Sequence, residues 1–403
     1  MVSERRLARG APTVVSLFSG CGGFDEGFRL AGFDTIAAFD IDPDVVRTYN
    51  NNLRPVAKVC DLALSNPVTT TPDVLIAGSP CQGFSTAGLR LVADPRNDLL
   101  VRAGEIAIEI RPKVFVLENV PAALAGKHAG KWGRVEAMLK RAGYNVTRYL
   151  GQGVESGLAQ KRQRLFMVAW LGSDIIRFDP PIIPERSLRD VLKGVGDCED
   201  HDPIHLAAST REGRIARRIP PGKKLSNVRV SDRTVHTWDI PEVFGAVTKS
   251  EVAVLNAIVR LRRRNRVRDF GDADAVAHTT LSAHLGRATR QDVHRLLTKA
   301  YLRRTEDGLL DLSHTYNGKF RRASWSEPAP TVDTHFGEPT LFLHPKAHRG
   351  FTPREAARIQ GFRDDFRFQA GRRGKFKMIG NAVPPPMANR LAAFIRDTLV
   401  RAS

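Results

Sequence analysis

A chain of 403 residues, 42% hydrophobic and 26% charged, can bury a large core and divide into two or three domains. It holds no apolar run of membrane-spanning length, and its first apolar run (14–18) is too short for a signal-peptide core, so neither a transmembrane helix nor an export signal is expected. Sixty-two Lys and Arg against 43 Asp and Glu leave a net charge of +19, which points to a polyanionic partner, nucleic acid being the commonest.

The first 170 residues alternate short apolar runs with helical patterns, as in a parallel α/β sheet. Strands are expected at 13–18, 34–39, 74–77, 113–117 and 165–169, and helices at 25–31, 43–50, 98–110 and 131–142. VLIAG and VFVLE are apolar without alternation, as strands are when helices cover both sheet faces. After Pro180-Pro181 the texture changes, with more Pro, Gly and Arg through about residue 340.

Inside that stretch, 249–264 places Val252, Leu255, Ile258, Val259 and Leu261 on one helical face. A helix at 280–285, a turn at Gly286, a second helix at 289–300 and a hairpin turning at Asp307-Gly308 follow. Val293, Leu296, Leu297 and Ala300 are expected to face inward, and Arg290, Gln291, His294, Arg295 and Lys299 outward. This piece resembles a winged helix-turn-helix, and sixteen Lys and Arg oppose eight Asp and Glu between 245 and 325. Beyond about 345 a helix opens at TPRE, with Thr352 as N-cap, Pro353 at the first helical position and Glu355 completing a capping box. The final segment ends in an amphipathic helix.

Several of these elements carry residues suited to chemistry. The first strand runs into Gly20, Gly22 and Gly23 before a helix, a turn that lets backbone approach a ligand and favours an anion at the helix start. The spacing is not GxGxxG, which disfavours a dinucleotide site. Asp40, ending the second strand, suits a ribose hydroxyl pair, and Asp61 could accept from an adenine amino group. The four cysteines, Cys21, Cys60, Cys81 and Cys198, form no CxxC pair, so neither a metal site nor a disulfide framework is expected and a functional free thiol remains open. Cys81 follows Pro80 among the turn formers Gly78, Gln82 and Gly83, where a thiol is presented rather than packed. Glu118 and Asn119 end the VFVLEN strand at the same sheet edge, and a carboxyl flanked by apolar strand residues should have a raised pKa. Arg162 and Arg164 alternate at the start of another strand, which predicts two guanidiniums on one face.

In order, FSGCGG, GSPCQGFS, ENV, QKRQR and IGNAVPPPMA resemble the DNA cytosine-C5 methyltransferase family, and RGFTPREAARIQGF fits the same pattern. The resemblance covers about residues 13–181 and 340–400. It implies an α/β fold: a Rossmann-like class I methyltransferase sheet with helices on both faces, plus a smaller target-recognition domain. It places a catalytic domain at 1–181, target recognition at 182–340 with the winged-helix-like insertion at 246–314, and C-terminal motifs at 341–403, of which 375–403 return to the catalytic domain. RRIPPGKKL and FRRASWSEPAPTVDT would be the framework of target recognition.

The implied methyl donor is S-adenosylmethionine, leaving S-adenosylhomocysteine. Its pocket would take Phe18, Gly20, Gly22 and Gly23, with Asp40 on the ribose, Asp61 on the adenine amine and Asn381 closing it; Ile41, Leu62, Pro80 and Ala382 are counted with them. The family usually carries Glu where Asp40 stands, one methylene longer. By the same resemblance Cys81 attacks C6 of cytosine and makes C5 nucleophilic. Glu118 contacts N3 and the exocyclic amine and supplies a proton, Arg164 holds the O2 side, and Arg162 helps position the cluster. Loss of the C5 proton then releases the enzyme. Because C5 and C6 are inaccessible in a stacked duplex, the base must be flipped out.

Expected DNA contacts are Gln82, Ser85, Arg287, Arg290, Gln291, Arg295 and Lys299, with helix 289–300 reading a major groove; a protein-binding or rigidifying insertion is the rival. The chain is expected to act on double-stranded DNA as a monomer in the cytoplasm, at the nucleoid, with a cognate restriction endonuclease as a candidate companion. Two other functions compete. The large middle segment argues against a transfer-RNA cytosine methyltransferase with the same motifs, and intact Cys81, Glu118 and Arg164 argue against a non-catalytic DNA-binding regulator.

Overall fold

The computed structural model describes residues 10–80, 98–124, 129–172, 177–264 and 274–400. They fall into two compact units: one runs to His201, takes in Ser326–His335 and resumes at Pro353, and the other comprises Asp202–Trp325 and Phe336–Thr352.

The first unit is built on seven strands: β1 (Thr13–Leu17), β2 (Asp34–Asp40), β3 (Ala57–Val59), β4 (Val74–Gly78), β5 (Val114–Asn119), β6 (Asn145–Gln152) and β7 (Gln163–Trp170). They lie in the order β3-β2-β1-β4-β5-β7-β6. Every pairing is parallel except the two made by β7. The chain winds outward from β1 through β2 and β3, then returns to build the other side from β4. That reversal opens a crevice at the carboxyl ends of β1 and β4, where ligands bind in open α/β sheets.

Alternate strand residues feed two cores, which explains the unbroken apolar runs. Val15, Leu17, Leu75, Ala77, Phe115 and Leu117 pack on one face with α3 (Leu99–Ile110) and α4 (Ala129–Arg141). Val14, Val74, Ile76, Val114 and Val116 pack on the other with Phe24 and Phe28 of α1 (Gly23–Leu30) and with the C-terminal helix Pro385–Ile395. A Cβ on Gly27 would stand 2.3 Å from that of Ala388, so the glycine lets these two helices touch. Helix α2 (Pro43–Asn52) starts on Asp42, whose side chain accepts from the Asp44 amide.

The structure departs from the expected elements where the local signal is weak. β3 is only three residues long, and β6 is an edge strand of largely polar sequence, NVTRYLGQ, bonded only to β7. The first strand stops at Leu17 because Phe18 adopts φ +52°, a left-handed backbone costly for a bulky residue. The first unit also extends past Pro181 to His201 and reclaims 326–335, because those residues pack with the sheet domain.

In the second unit, helix Arg211–Arg218 covers a three-stranded sheet with Lys224–Ser226 at its centre. Arg322, 3% exposed, donates to the carbonyls of Ala216, Ile219, His344 and Ala347 and ties this framework together. A separate core belongs to helices Lys249–Arg264, His278–Leu285 and Arg290–Thr298 and the antiparallel pair Leu302–Arg304 and Leu310–Leu312. Val276 adds a bridge to Leu310, and Gly308 turns the hairpin at φ +75°. The last helix stops at Thr298, so Ala300 is exposed at φ +56° rather than facing inward.

Candidate active site

A cavity of about 280 Å³ opens at the carboxyl ends of β1, β2, β4 and β5. Phe18, Gly20, Gly23, Asp40, Ile41, Asp61, Leu62, Pro80, Glu118, Arg164, Asn381 and Ala382 all line it. Residues from six sheet or loop segments and from the far C-terminus thus converge on one space.

The glycine turn builds its floor. Gly20 takes φ +54°, and no atom stands within 4 Å of where a Cβ would be. Its amide donates to Asp40 Oδ2 at 2.8 Å, while the Asp42 amide donates to Oδ1 at 3.0 Å. Burial raises the Asp40 pKa, and those two amides pull it back. Gly22 does not line the cavity. At φ +92°, a Cβ there would meet Leu53 Cδ1 at 2.5 Å and Tyr49 Cδ2 at 2.9 Å, so this glycine permits packing against α2. Gly23 serves the opposite side, where a Cβ would stand 2.5 Å from the Val383 carbonyl oxygen.

Ser16, Ser19, Cys21, Asp42, Cys60, Ser79, Lys377 and Met378 also belong to the wall and carry no signal of their own in the sequence. Lys377 pairs with Asp42 at 3.2 Å. Below the turn, Asp25 is buried and accepts from Ser16 Oγ and Tyr49 Oη, each at 2.9 Å. Burial pushes its pKa up to about 6, and pushes the Cys21 thiol up to about 12, far from the thiolate form.

At the other end of the cavity Glu118 lies beside Gly78 of β4 and opposite Phe166 of β7 in register. Arg164 Nε approaches Glu118 Oε1 to 2.7 Å. Burial raises the Glu118 pKa against the opposing pull of the Arg164 and Arg162 charges. Asn119 Nδ2 donates to Ser79 Oγ at 3.1 Å, holding the ends of β4 and β5 together.

Arg162 and Arg164 do not both point into the pocket. Arg162, 1% exposed, donates to the carbonyls of Val332, Gly380 and Ala382 at 2.7, 2.8 and 2.9 Å. It stands before the start of β7 at Gln163, so strand alternation does not govern its direction. Cys81, Gln82 and Ser85 lie outside the described residues.

The expected DNA contacts in the second unit, Arg287, Arg290, Gln291, Arg295 and Lys299, are all exposed, but three of them are also engaged in ion pairs. Arg287 pairs with Asp292 at 2.7 Å, Arg295 with Glu251 at 3.0 Å and with Asp292, and Lys299 with Glu251 at 2.9 Å.

A family model described as C-5 cytosine-specific DNA methylase matches residues 12–396. The type II methyltransferase M.DdeI of Desulfomicrobium norvegicum is 27% identical over 403 residues, covering 94% of this chain and 87% of that protein. M.NgoPII of Neisseria gonorrhoeae, also a type II methyltransferase, is 28% identical and covers 96% of each. Among solved structures, a DNA modification methyltransferase encoded within an E. coli prophage superposes with a TM-score of 0.59 at 23% identity, covering 97% of this chain and all of that one. The S. pombe Dnmt2 methyltransferase superposes at 0.52 with 15% identity, over 96% of this chain and 99% of that one. These two superpositions speak for a shared fold.

Proposed function

The chain belongs to the family of C-5 cytosine-specific DNA methylases, and from that membership we propose how its residues divide the work. The reaction is methyl transfer to C5 of cytosine in DNA, and the donor is S-adenosylmethionine, which when bound supplies an electrophilic methyl carbon. The cavity suits that donor: an open space over Gly20, two carboxylates at Asp40 and Asp61, and an apolar wall at Ile41 and Leu62. Phe18, Gly23, Pro80, Asn381 and Ala382 complete the enclosure, while Gly22 shapes it from behind.

Cytosine is a poor nucleophile at C5. Addition of the Cys81 thiolate across C6 places electron density on C5, and a proton from Glu118 at N3 neutralises the charge that would otherwise collect there. Arg164 orients Glu118 and faces the O2 edge of the base. Arg162 holds the backbone on either side of Asn381. Once C5 carries the methyl group, water takes the C5 proton, the C6–S bond breaks to release the Cys81 thiolate, and N3 returns its proton to Glu118, which restores the aromatic ring. Glu118 is the observation that carries this assignment: a buried carboxyl of raised pKa, oriented by an arginine, on the wall of the donor cavity.

Target recognition belongs to the part of the middle segment, 182–340, that forms the second unit, with 246–314 as its insertion. The substrate is duplex DNA met by a single copy of the chain in the cytoplasm, at the nucleoid. The naming of the relatives as type II methyltransferases supports a companion restriction endonuclease. Incubation with duplex DNA carrying 5-fluorocytosine tests the core of the scheme. A covalent adduct that depends on S-adenosylmethionine and disappears in Cys81→Ser is expected; an equal adduct in that variant would remove Cys81 from the mechanism.

A further inference from the structure

We propose that the inserted helical subdomain is a second DNA-reading surface, whose readers are Arg290, Gln291 and His294, while Arg287, Arg295 and Lys299 are internal ties. The proposal rests on duplex DNA being the substrate, and it concerns a surface outside the methyl-transfer cavity.

The ion pairs decide the partition. Glu251 is 0% exposed and Asp292 5%, and between them they bind Arg287, Arg295 and Lys299. Ser250 Oγ also donates to Asp292 at 2.6 Å, so the network pins helix Arg290–Thr298 to the start of helix Lys249–Arg264. At 3.6 residues per turn, positions 292, 295 and 299 share one side of the helix. Arg290, Gln291 and His294 lie on the adjoining solvent-facing side; Arg295 and Lys299 are exposed too, but their charges are committed to Glu251 and Asp292.

That free face is presented rigidly. Gly286, at φ +61°, closes helix His278–Leu285, and the next helix begins at Arg290, the short turn of a helix-turn-helix. Thr289, 1% exposed, bonds Ser282 Oγ at 2.8 Å and His278 Nε2 at 3.0 Å, fixing the angle between the two helices. In such a pair the N-terminal residues of the second helix reach base edges. Arg and Gln are the side chains that bond guanine and adenine bidentately.

Charge selects the occupant. Among the described acids of the subdomain, Glu251, Asp292 and Asp311 are buried and paired inward, Asp311 with Arg262 and Arg303. Arg260, Arg263, Arg264, Arg290 and Arg304 are exposed. Glu306 and Asp307, at the hairpin turn, are exposed as well, but these five exposed arginines outnumber them, and a cationic surplus suits a polyanion.

The test uses the full chain. Wild type, R290A/Q291A/H294A and R295Q are compared by bisulfite sequencing of a methylated random-sequence duplex library. Duplex affinity is read by fluorescence anisotropy, independently of methyl transfer. The triple variant is expected to melt like wild type, to lose preference at two or three adjacent base pairs, and to bind the preferred duplex about tenfold or more weakly. R295Q is expected to melt at lower temperature with its sequence preference intact. Unchanged preference and affinity in the triple variant overturn the proposal, as does a preference altered in R295Q as much as in the triple variant. Absence of methylation by wild type would count against the reaction. Arg290-dependent duplex binding would still uphold this surface.

Discussion

Arg164 Nε lies 2.7 Å from Glu118 Oε1, with the two side chains 10% and 9% exposed. Burial is the larger influence on Glu118 and raises its pKa; the two arginine charges act against it. Glu118 therefore holds its proton to higher pH than an ordinary carboxyl, and the step that needs this proton weakens as pH rises through the raised value. Replacing Arg164 by Gln removes a lowering influence, so the alkaline limb of single-turnover methyl transfer should move to higher pH while the maximal rate falls. Glu118→Gln should lose that limb and about 10²–10⁴-fold in rate. A limb that stays in place in both variants would assign the proton to another group.

Arg162 has no surface role to lose, so its replacement should act through the backbone it holds. Arg162→Met leaves the carbonyls of Val332, Gly380 and Ala382 without this donor. Unsatisfied buried acceptors cost about 1–3 kcal/mol each, and relaxation will recover part of that, so a loss of roughly 3 kcal/mol is expected in urea unfolding. Because Asn381 sits between two of those carbonyls, the KM for S-adenosylmethionine should rise more than kcat falls. A kcat loss alone, at unchanged stability, would instead make Arg162 a group that touches the base.

These two arginines also mark how far the sequence could be read. Asp40, Asp61 and Glu118 are legible because they stand at or just past the ends of parallel strands, which end on one edge, and Arg164 because an antiparallel strand begins on that same edge. Arg162 is not, because it precedes its strand and its partners lie 170, 218 and 220 residues away. Gly22 looked like a ligand-binding glycine, but its neighbour is Tyr49, which no local pattern reveals. The same limit applies to Arg295 and Lys299. Helical periodicity puts them on the outer face, where they are exposed, but it does not reveal that Glu251, 44 and 48 residues earlier, pairs with both.

Asp25 should leave a signature in stability against pH. Its pKa is raised from 3.8 to about 6, chiefly by burial, with Ser16 and Tyr49 pulling it down. A folded value above the unfolded one means the protonated form is favoured on folding. The associated stability is complete below the unfolded value of 3.8 and is lost as pH rises through about 6. A rise of that size corresponds to about 3 kcal/mol. Asp25→Asn should therefore gain on wild type by up to that amount between about pH 4 and pH 7, when unfolding is measured at a series of pH values. Parallel curves for the two proteins would show that the carboxyl is not desolvated in solution.

Gly20 and Gly22 separate two reasons for a glycine within one turn. Both adopt positive φ, +54° and +92°, so an alanine at either strains the backbone by about 1–2 kcal/mol. Only at Gly22 does the added Cβ also strike neighbours, Leu53 at 2.5 Å and Tyr49 at 2.9 Å. At Gly20 it meets no protein atom within 4 Å and stands on the cavity wall. Gly20→Ala should lower the melting temperature modestly but weaken S-adenosylmethionine binding by tenfold or more, since the methyl group takes space the donor needs (about 1.4 kcal/mol per tenfold). Gly22→Ala should melt well below Gly20→Ala, and any donor binding it loses should follow from the displaced turn. Calorimetric titration of the donor beside thermal melting distinguishes them. If Gly20→Ala binds the donor as wild type does, the glycine turn is not where the donor lies against the backbone.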